Sequence, residues 1–248
     1  MFQDKILDKY RFLLKQNCSI CKNDSNSYNL CDTCFNKLLN AQKYINSGIP
    51  LKYIDLPINV FNNIKTDNKT ISDAILKKRN DVYNNVANYI NNLQSNINSG
   101  KGILFYGSFG TGKSTLSMNI AKYACDINFK CKVREFSEIV KISQTGTEID
   151  SENACDILNE IVNCDLYCIE NIEWVYNKLN SDYVKMLFDN VISLASKYSV
   201  ALIITTNMKP IEINKKFNEH IYSVLHEICY VYEVPGIDIR LNNKKSKI

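Results

Sequence analysis

At 248 residues, with 45% apolar content and a formal net charge of +4, the chain has room for one mid-sized domain and a small appendage. The charge is too mild to argue for nucleic acid by itself. No apolar run approaches eighteen residues, which excludes a membrane helix, and the opening MFQDKILDKYRFLLKQ carries acids without a small-residue cleavage site, so it does not read as a secretory signal. A soluble, cytoplasmic protein is expected.

Residues 2–16 read as an amphipathic helix with Ile6, Leu7, Tyr10, Leu13 and Leu14 on one stripe. Cys18-x2-Cys21 and Cys31-x2-Cys34 follow. Two such turns each offer two sulfurs to a single tetrahedral ion, so these four thiolates predict a structural zinc site with no ligand position left for water. The other six cysteines of the ten lie singly in apolar surroundings and read as small core residues. A helix is expected from Phe35 to Ile45, broken by Ser47-Gly48-Ile49-Pro50, with Pro57 ending a short extended stretch. Residues 1–46 therefore read as a helical zinc-binding module, 47–70 as a linker and 71–248 as the main domain. A polar helix is expected over 72–98.

From Gly102 the texture changes, and five of the eight glycines lie between 100 and 112. Short apolar strands are expected at 102–106, 131–136, 166–170, 200–206 and 229–233, alternating with helical segments. That alternation predicts an α/β domain, a parallel five-stranded sheet flanked by helices.

Gly107-Ser108-Phe109-Gly110-Thr111-Gly112-Lys113-Ser114 fits the phosphate-loop pattern G-x-x-x-x-G-K-[ST]. Its flanks fit as well: the strand Ile103-Leu104-Phe105-Tyr106 before it, and a helix from Lys113 to about Ala124 after it, opening with Ser114 and Thr115. Glycines let backbone N–H groups curl around phosphates, and the helix N-terminus favours negative charge there. ATP is the expected ligand, with Lys113 reaching the β and γ phosphates and the Ser114 hydroxyl on Mg²⁺.

Such a loop needs an acid on a neighbouring strand to hold the metal. Asp165-Leu166-Tyr167-Cys168-Ile169-Glu170-Asn171 supplies Glu170 for Mg²⁺. Asn171 stands where many P-loop ATPases carry the carboxylate that activates water, and an amide cannot accept that proton. Glu173, two residues further on, is the candidate substitute, although it is expected to point away from the strand end. A third strand, Ala201 to Thr206, ends at Asn207, a polar group suited to sensing the γ-phosphate.

Taken together, these features resemble the DnaC/DnaI-type helicase loaders and the related IstB-type transposition ATPases of the AAA+ class. The resemblance runs from roughly Cys18 to Arg240 and rests on the paired CxxC region, the Ser47-to-Tyr53 junction, Leu104 to Ser117, Asp165 to Ile172, Ile203 to Asn207, and Pro235-Gly236-Ile237-Asp238-Ile239-Arg240. It implies an AAA+ sheet behind an N-terminal module that grips a hexameric replicative helicase, ATP-dependent binding of single-stranded DNA, and possible self-association through the AAA+ domain. It places Arg240 in the second sensor position. IstB-like transposition helpers and a non-hydrolysing, ATP-switched adaptor are the alternatives.

One segment departs from that family's pattern. The helix before the last strand ends approximately R-I-x-S-R in the loaders, and its arginine reaches a neighbouring subunit's ATP; here it reads His220-Ile221-Tyr222-Ser223-Val224. An arginine finger contributes about 10³-fold or more in rate, and the nearby Lys215 and Lys216 do not reproduce its planar fork. With Asn171 as well, the expectation is retained ATP binding with weakened hydrolysis. Trp174 reads as packing, and the Lys244-Lys245-Ser246-Lys247 tail as a solvated end.

Overall fold

A computed structural model of the protein describes residues 32–57, 72–145, 152–173 and 181–238. The chain divides into two units, Met1–Asn46 and Ser47–Ile248. In the first, the described element is α1 (Asp32–Asn46). It begins three residues earlier than the sequence suggests, so the backbone of Cys34 already lies in its first turn.

The second unit follows the order α2 (Leu51–Ile54), α3 (Asp73–Asn91), α4 (Leu93–Asn98), β1 (Gly102–Tyr106), α5 (Lys113–Asp126), β2 (Cys131–Glu135), α6 (Phe136–Thr145) and α7 (Glu152–Val162). It continues with β3 (Leu166–Glu170), α8 (Ser181–Lys197), β4 (Ala201–Thr206), α9 (Pro210–Lys216), α10 (Glu219–Ile228) and β5 (Cys229–Glu233). The polar helix expected over 72–98 breaks at Asn92, whose φ of −107° leaves the helical range.

All four strand pairings are parallel, in the order β2-β3-β4-β1-β5. β3 and β4 are buried along their whole length, as strands covered on both faces by helices must be. One face sends Leu104, Tyr167, Ile169, Leu202 and Ile204 into a cluster with α6, α7, α8 and α10. There Phe188 stacks against Phe136 at 5.3 Å and Phe217 at 4.6 Å between ring centroids. The other face carries α5, whose Leu116 and Ile120 are fully buried.

Residues 47–57, expected as the start of a linker, are packed onto this unit. The Val133 amide donates to Ser47 O at 2.7 Å, which ties the segment to β2. The Lys122 ammonium of α5 donates to the carbonyls of Tyr53 (3.0 Å), Ile54 (3.3 Å) and Leu56 (2.5 Å). Tyr53 and Ile54 close the four-residue helix, where a cation meets the negative pole, and Leu56 lies two residues beyond it; Tyr53 O also accepts from the Leu56 amide at 3.2 Å. Burial lowers the pKa of Lys122, so the bonds to it must offset that cost. Lys122→Met keeps the aliphatic stem and removes the donors. It should cost about 2 kcal/mol in urea denaturation, the range for hydrogen bonds to a charged group.

Candidate functional site

Strand register assembles the site. Tyr106 pairs with Thr206 on one side and Glu233 on the other, and Ile169 pairs with Ile204. The ends of β1, β3 and β4 therefore finish level with one another, and the residues that follow each strand meet above the sheet. That is where open α/β sheets bind ligands.

After β1 the chain makes the phosphate loop. Gly110 has φ 69° and Gly112 φ 103°, left-handed conformations that a side chain resists. A Cβ on Gly110 would also run into the Asp238 carboxylate. Gly112 is the N-cap of α5, so the loop delivers its amides to a helix N-terminus, the arrangement that favours phosphate. Ser108 and Phe109 form the exposed tip, whereas Thr111 is buried, with its hydroxyl donating to Ser108 O at 3.1 Å. Ser114 and Thr115 follow in the first turn of α5, both half-buried.

Lys113 is buried in the middle of this arrangement. Its ammonium donates to Gly107 O (2.8 Å), Ser108 O (2.7 Å) and Asn207 Oδ1 (2.8 Å). The expected phosphate lysine and the expected sensor are thus in direct contact.

Glu170, at the end of β3, is 4% exposed. Burial raises its pKa, and the Ser114, Ser117 and Thr205 hydroxyls stand near enough to offset part of the rise. Even so, Glu170 Oε1 and the Ser117 hydroxyl are buried without a partner in hydrogen-bonding geometry. A buried acceptor left unsatisfied beside the first turn of α5 is what a hard cation with oxygen ligands would complete. The donor set of Ser114 and Glu170 therefore fits Mg²⁺.

Three contributors have positions that sequence reading did not foresee. Arg79, on α3, is buried, and its Nη1 donates to Thr111 O at 2.9 Å and Pro235 O at 2.8 Å. It joins the phosphate loop to the segment that leaves β5. Burial lowers its pKa to about 10, so it stays charged at neutral pH. Asp238 comes up against Gly110 from that same segment. The third is Glu173, and here the structure corrects the expectation. Its carboxylate faces the site, accepting from Thr206 Oγ1 at 2.9 Å and from Asn207 Nδ2.

The helix before β5 carries the segment that departs from the loaders' pattern. Val224 packs, half-buried, against the domain's own core, and His220 lies 3.1 Å from Asp189 on α8. Arg240, Cys18, Cys21 and Cys31 lie outside the described residues, as does the Cys34 side chain. Among the described residues no group of three or more His, Cys, Asp or Glu could hold a metal, and no helix is long and apolar enough to cross a membrane.

Glu170→Gln separates the two demands on that carboxylate. A raised pKa means that the folded state holds its proton more tightly than the unfolded chain. The penalty is absent below the unfolded pKa and is complete above the folded one. The neutral variant should therefore melt a few degrees higher than wild type at neutral pH without nucleotide, while Mg²⁺-dependent ATP affinity falls. Paired thermal melts and titrations check both.

The sequence matches no family model and no curated protein. Solved structures do match the fold. A DnaC helicase loader superimposes with a TM-score of 0.55 at 18% identity, over 64% of this chain and 90% of that one. DnaI gives 0.53 at 15% identity, over 75% and 95%. AMPPCP-bound DnaA from Aquifex aeolicus gives 0.52 at 16% identity, over 69% of this chain but 51% of DnaA. The domain shares the fold of these solved structures, a parallel five-stranded sheet flanked by helices.

Proposed function

We propose that the protein is an ATP-switched helicase loader: it binds ATP with Mg²⁺ and, in that state, engages a hexameric replicative helicase and single-stranded DNA in the cytoplasm. The observation that carries this reading is the meeting of Lys113, Asn207 and the unpaired Glu170 at the ends of three parallel strands. The fold shared with helicase loaders supports the choice of partner. A DnaA that binds AMPPCP and single-stranded DNA has the same fold, with a TM-score of 0.52, which supports the choice of ligands.

The geometry supports the following assignment of roles. Amides of Gly107 to Ser114 surround the phosphates, and the Lys113 ammonium exchanges its carbonyl partners for phosphate oxygens. Glu170 and Ser114 hold Mg²⁺, which neutralises charge on the phosphates. Asn207 reads the γ-phosphate through its link to Lys113, and Arg240 is assigned the second sensor role. A half-buried Val224 offers no cation to a neighbouring subunit, so hydrolysis is slow and ATP acts mainly as a binding switch. A non-hydrolysing adaptor is the limiting form of that behaviour.

Lys113→Ala should abolish ATP binding in calorimetry, and equal affinity for both proteins would refute the phosphate-loop assignment. ATP-loaded protein should recover a hexameric helicase from host extract, and Lys113→Ala should not; recovery of a transposase would favour the transposition reading instead.

The first unit, residues 1–46, is assigned as the partner-binding module, held by one zinc ion on Cys18, Cys21, Cys31 and Cys34. Metal binding to such a site is coupled to folding. Protein purified under reducing conditions should carry one zinc per chain, and chelation should abolish partner binding while ATP affinity is kept. Metal analysis without zinc would refute the site.

A further inference from the structure

The expected base position holds an amide, yet a carboxylate reaches the same place by another route. Asn171 has φ 58°, a left-handed conformation that asparagine tolerates better than most residues. Its amide donates to Thr205 Oγ1 at 3.2 Å, and the next amide, of Ile172, donates to Thr205 O at 3.4 Å. The chain leaving β3 is thereby bent across the end of β4 instead of continuing along the strand. Ile172 is fully buried, which fixes the bend, and Glu173 arrives above Thr206 and Asn207.

We propose that Glu173 is the water-activating carboxylate of this ATP site, in the role that Asn171 cannot fill. The assignment rests on the ATP-binding reading above. Two bonds hold the carboxylate: Thr206 Oγ1 donates to Oε2 at 2.9 Å and Asn207 Nδ2 donates to Oε1. Thr206 is itself held, its Oγ1 accepting from the Met208 amide at 3.1 Å. The other end of the Asn207 amide accepts from Lys113 Nζ at 2.8 Å. A single amide therefore spans from Lys113, the lysine assigned to the γ-phosphate, to the carboxylate, and the proposal puts Glu173 within one water of the phosphoryl group. A general base must stand at that range.

The step balances without a further reactant. The water oxygen bonds to the γ-phosphorus as the bond from that phosphorus to the β–γ bridging oxygen breaks. The electron pair of the broken bond stays on ADP. The water's proton passes to Glu173 and then to solvent or to the departing phosphate. Asn207 has one end on each participant, so drawing Lys113 onto a phosphate changes the hydrogen bonding of the amide that holds the base. Nucleotide occupancy and base position are coupled through that one side chain. Asn171 then serves the backbone turn, and the missing arginine at Val224 is the remaining deficit of the site.

The test is single-turnover hydrolysis of ATP by the full chain with Mg²⁺, beside calorimetric ATP affinity and thermal melting. Glu173→Gln keeps the shape and one acceptor. It should lower the rate about 100-fold, the lower end of what a positioned base contributes, with affinity within about twofold of wild type and an unchanged melt. Asn171→Asp should change the wild-type rate by less than about threefold, because a base is already present. The proposal is overturned by Glu173→Gln turning over like wild type, or losing affinity and rate together as a structural brace would. It is also overturned by a wild type that binds ATP without measurable turnover, or by a large gain from Asn171→Asp. If Lys113→Ala still binds ATP, it is the ATP-binding reading that fails.

Discussion

Everything at the site depends on the parallel register of β1 between β4 and β5. Tyr106 lies level with both Thr206 and Glu233, so the loop after β1 emerges with the sensor strand on one side and the β5 exit on the other. Had β4 slipped by one residue, its alternating side chains would have changed faces, and Asn207 would no longer meet Lys113. The burial of β3 and β4 on both sides opposes that slip, because moving β4 by one residue would take Leu202 and Ile204 off the α8 face.

Within that frame, charge is managed by few groups. The Lys113 ammonium is buried but has three oxygen partners, whereas Glu170 is buried with one oxygen unpaired. The first group is already satisfied and has to exchange partners when phosphate binds. The second gains a partner that it lacks. Mg²⁺ and nucleotide, bound as proposed, would therefore relieve a local deficit on the carboxylate side and exchange one set of oxygen partners for another on the lysine side. That asymmetry suits a site whose occupancy switches other contacts.

Much of this was readable from the sequence, for identifiable reasons. The five strands were found almost to the residue because buried parallel strands are short, apolar and bounded by glycine, asparagine or charge. The phosphate loop was found because its glycines are required by local backbone geometry, which spacing alone records. Arg79 was not found: it acts across 156 residues on Pro235 O, and no local pattern marks a long-range bond to a carbonyl. The orientation of Glu173 was misread for a related reason. It depends on a left-handed turn at Asn171, and a position that tolerates such a turn looks, in sequence, like a lost carboxylate. The start of the linker was misjudged because Pro50 and Pro57 signal breaks, but not that Lys122 caps the short helix between them.

The chain uses only four arginines against 26 lysines, counted over all 248 residues. Arg79 is one of the four. Burial lowers its pKa to about 10, so the guanidinium stays charged at neutral pH while it joins the carbonyls of Thr111 and Pro235. An ammonium in the same surroundings would feel the same downward pressure from a lower start. A guanidinium at position 79 therefore keeps the tether between the phosphate loop and the β5 exit charged where a lysine would do so less readily.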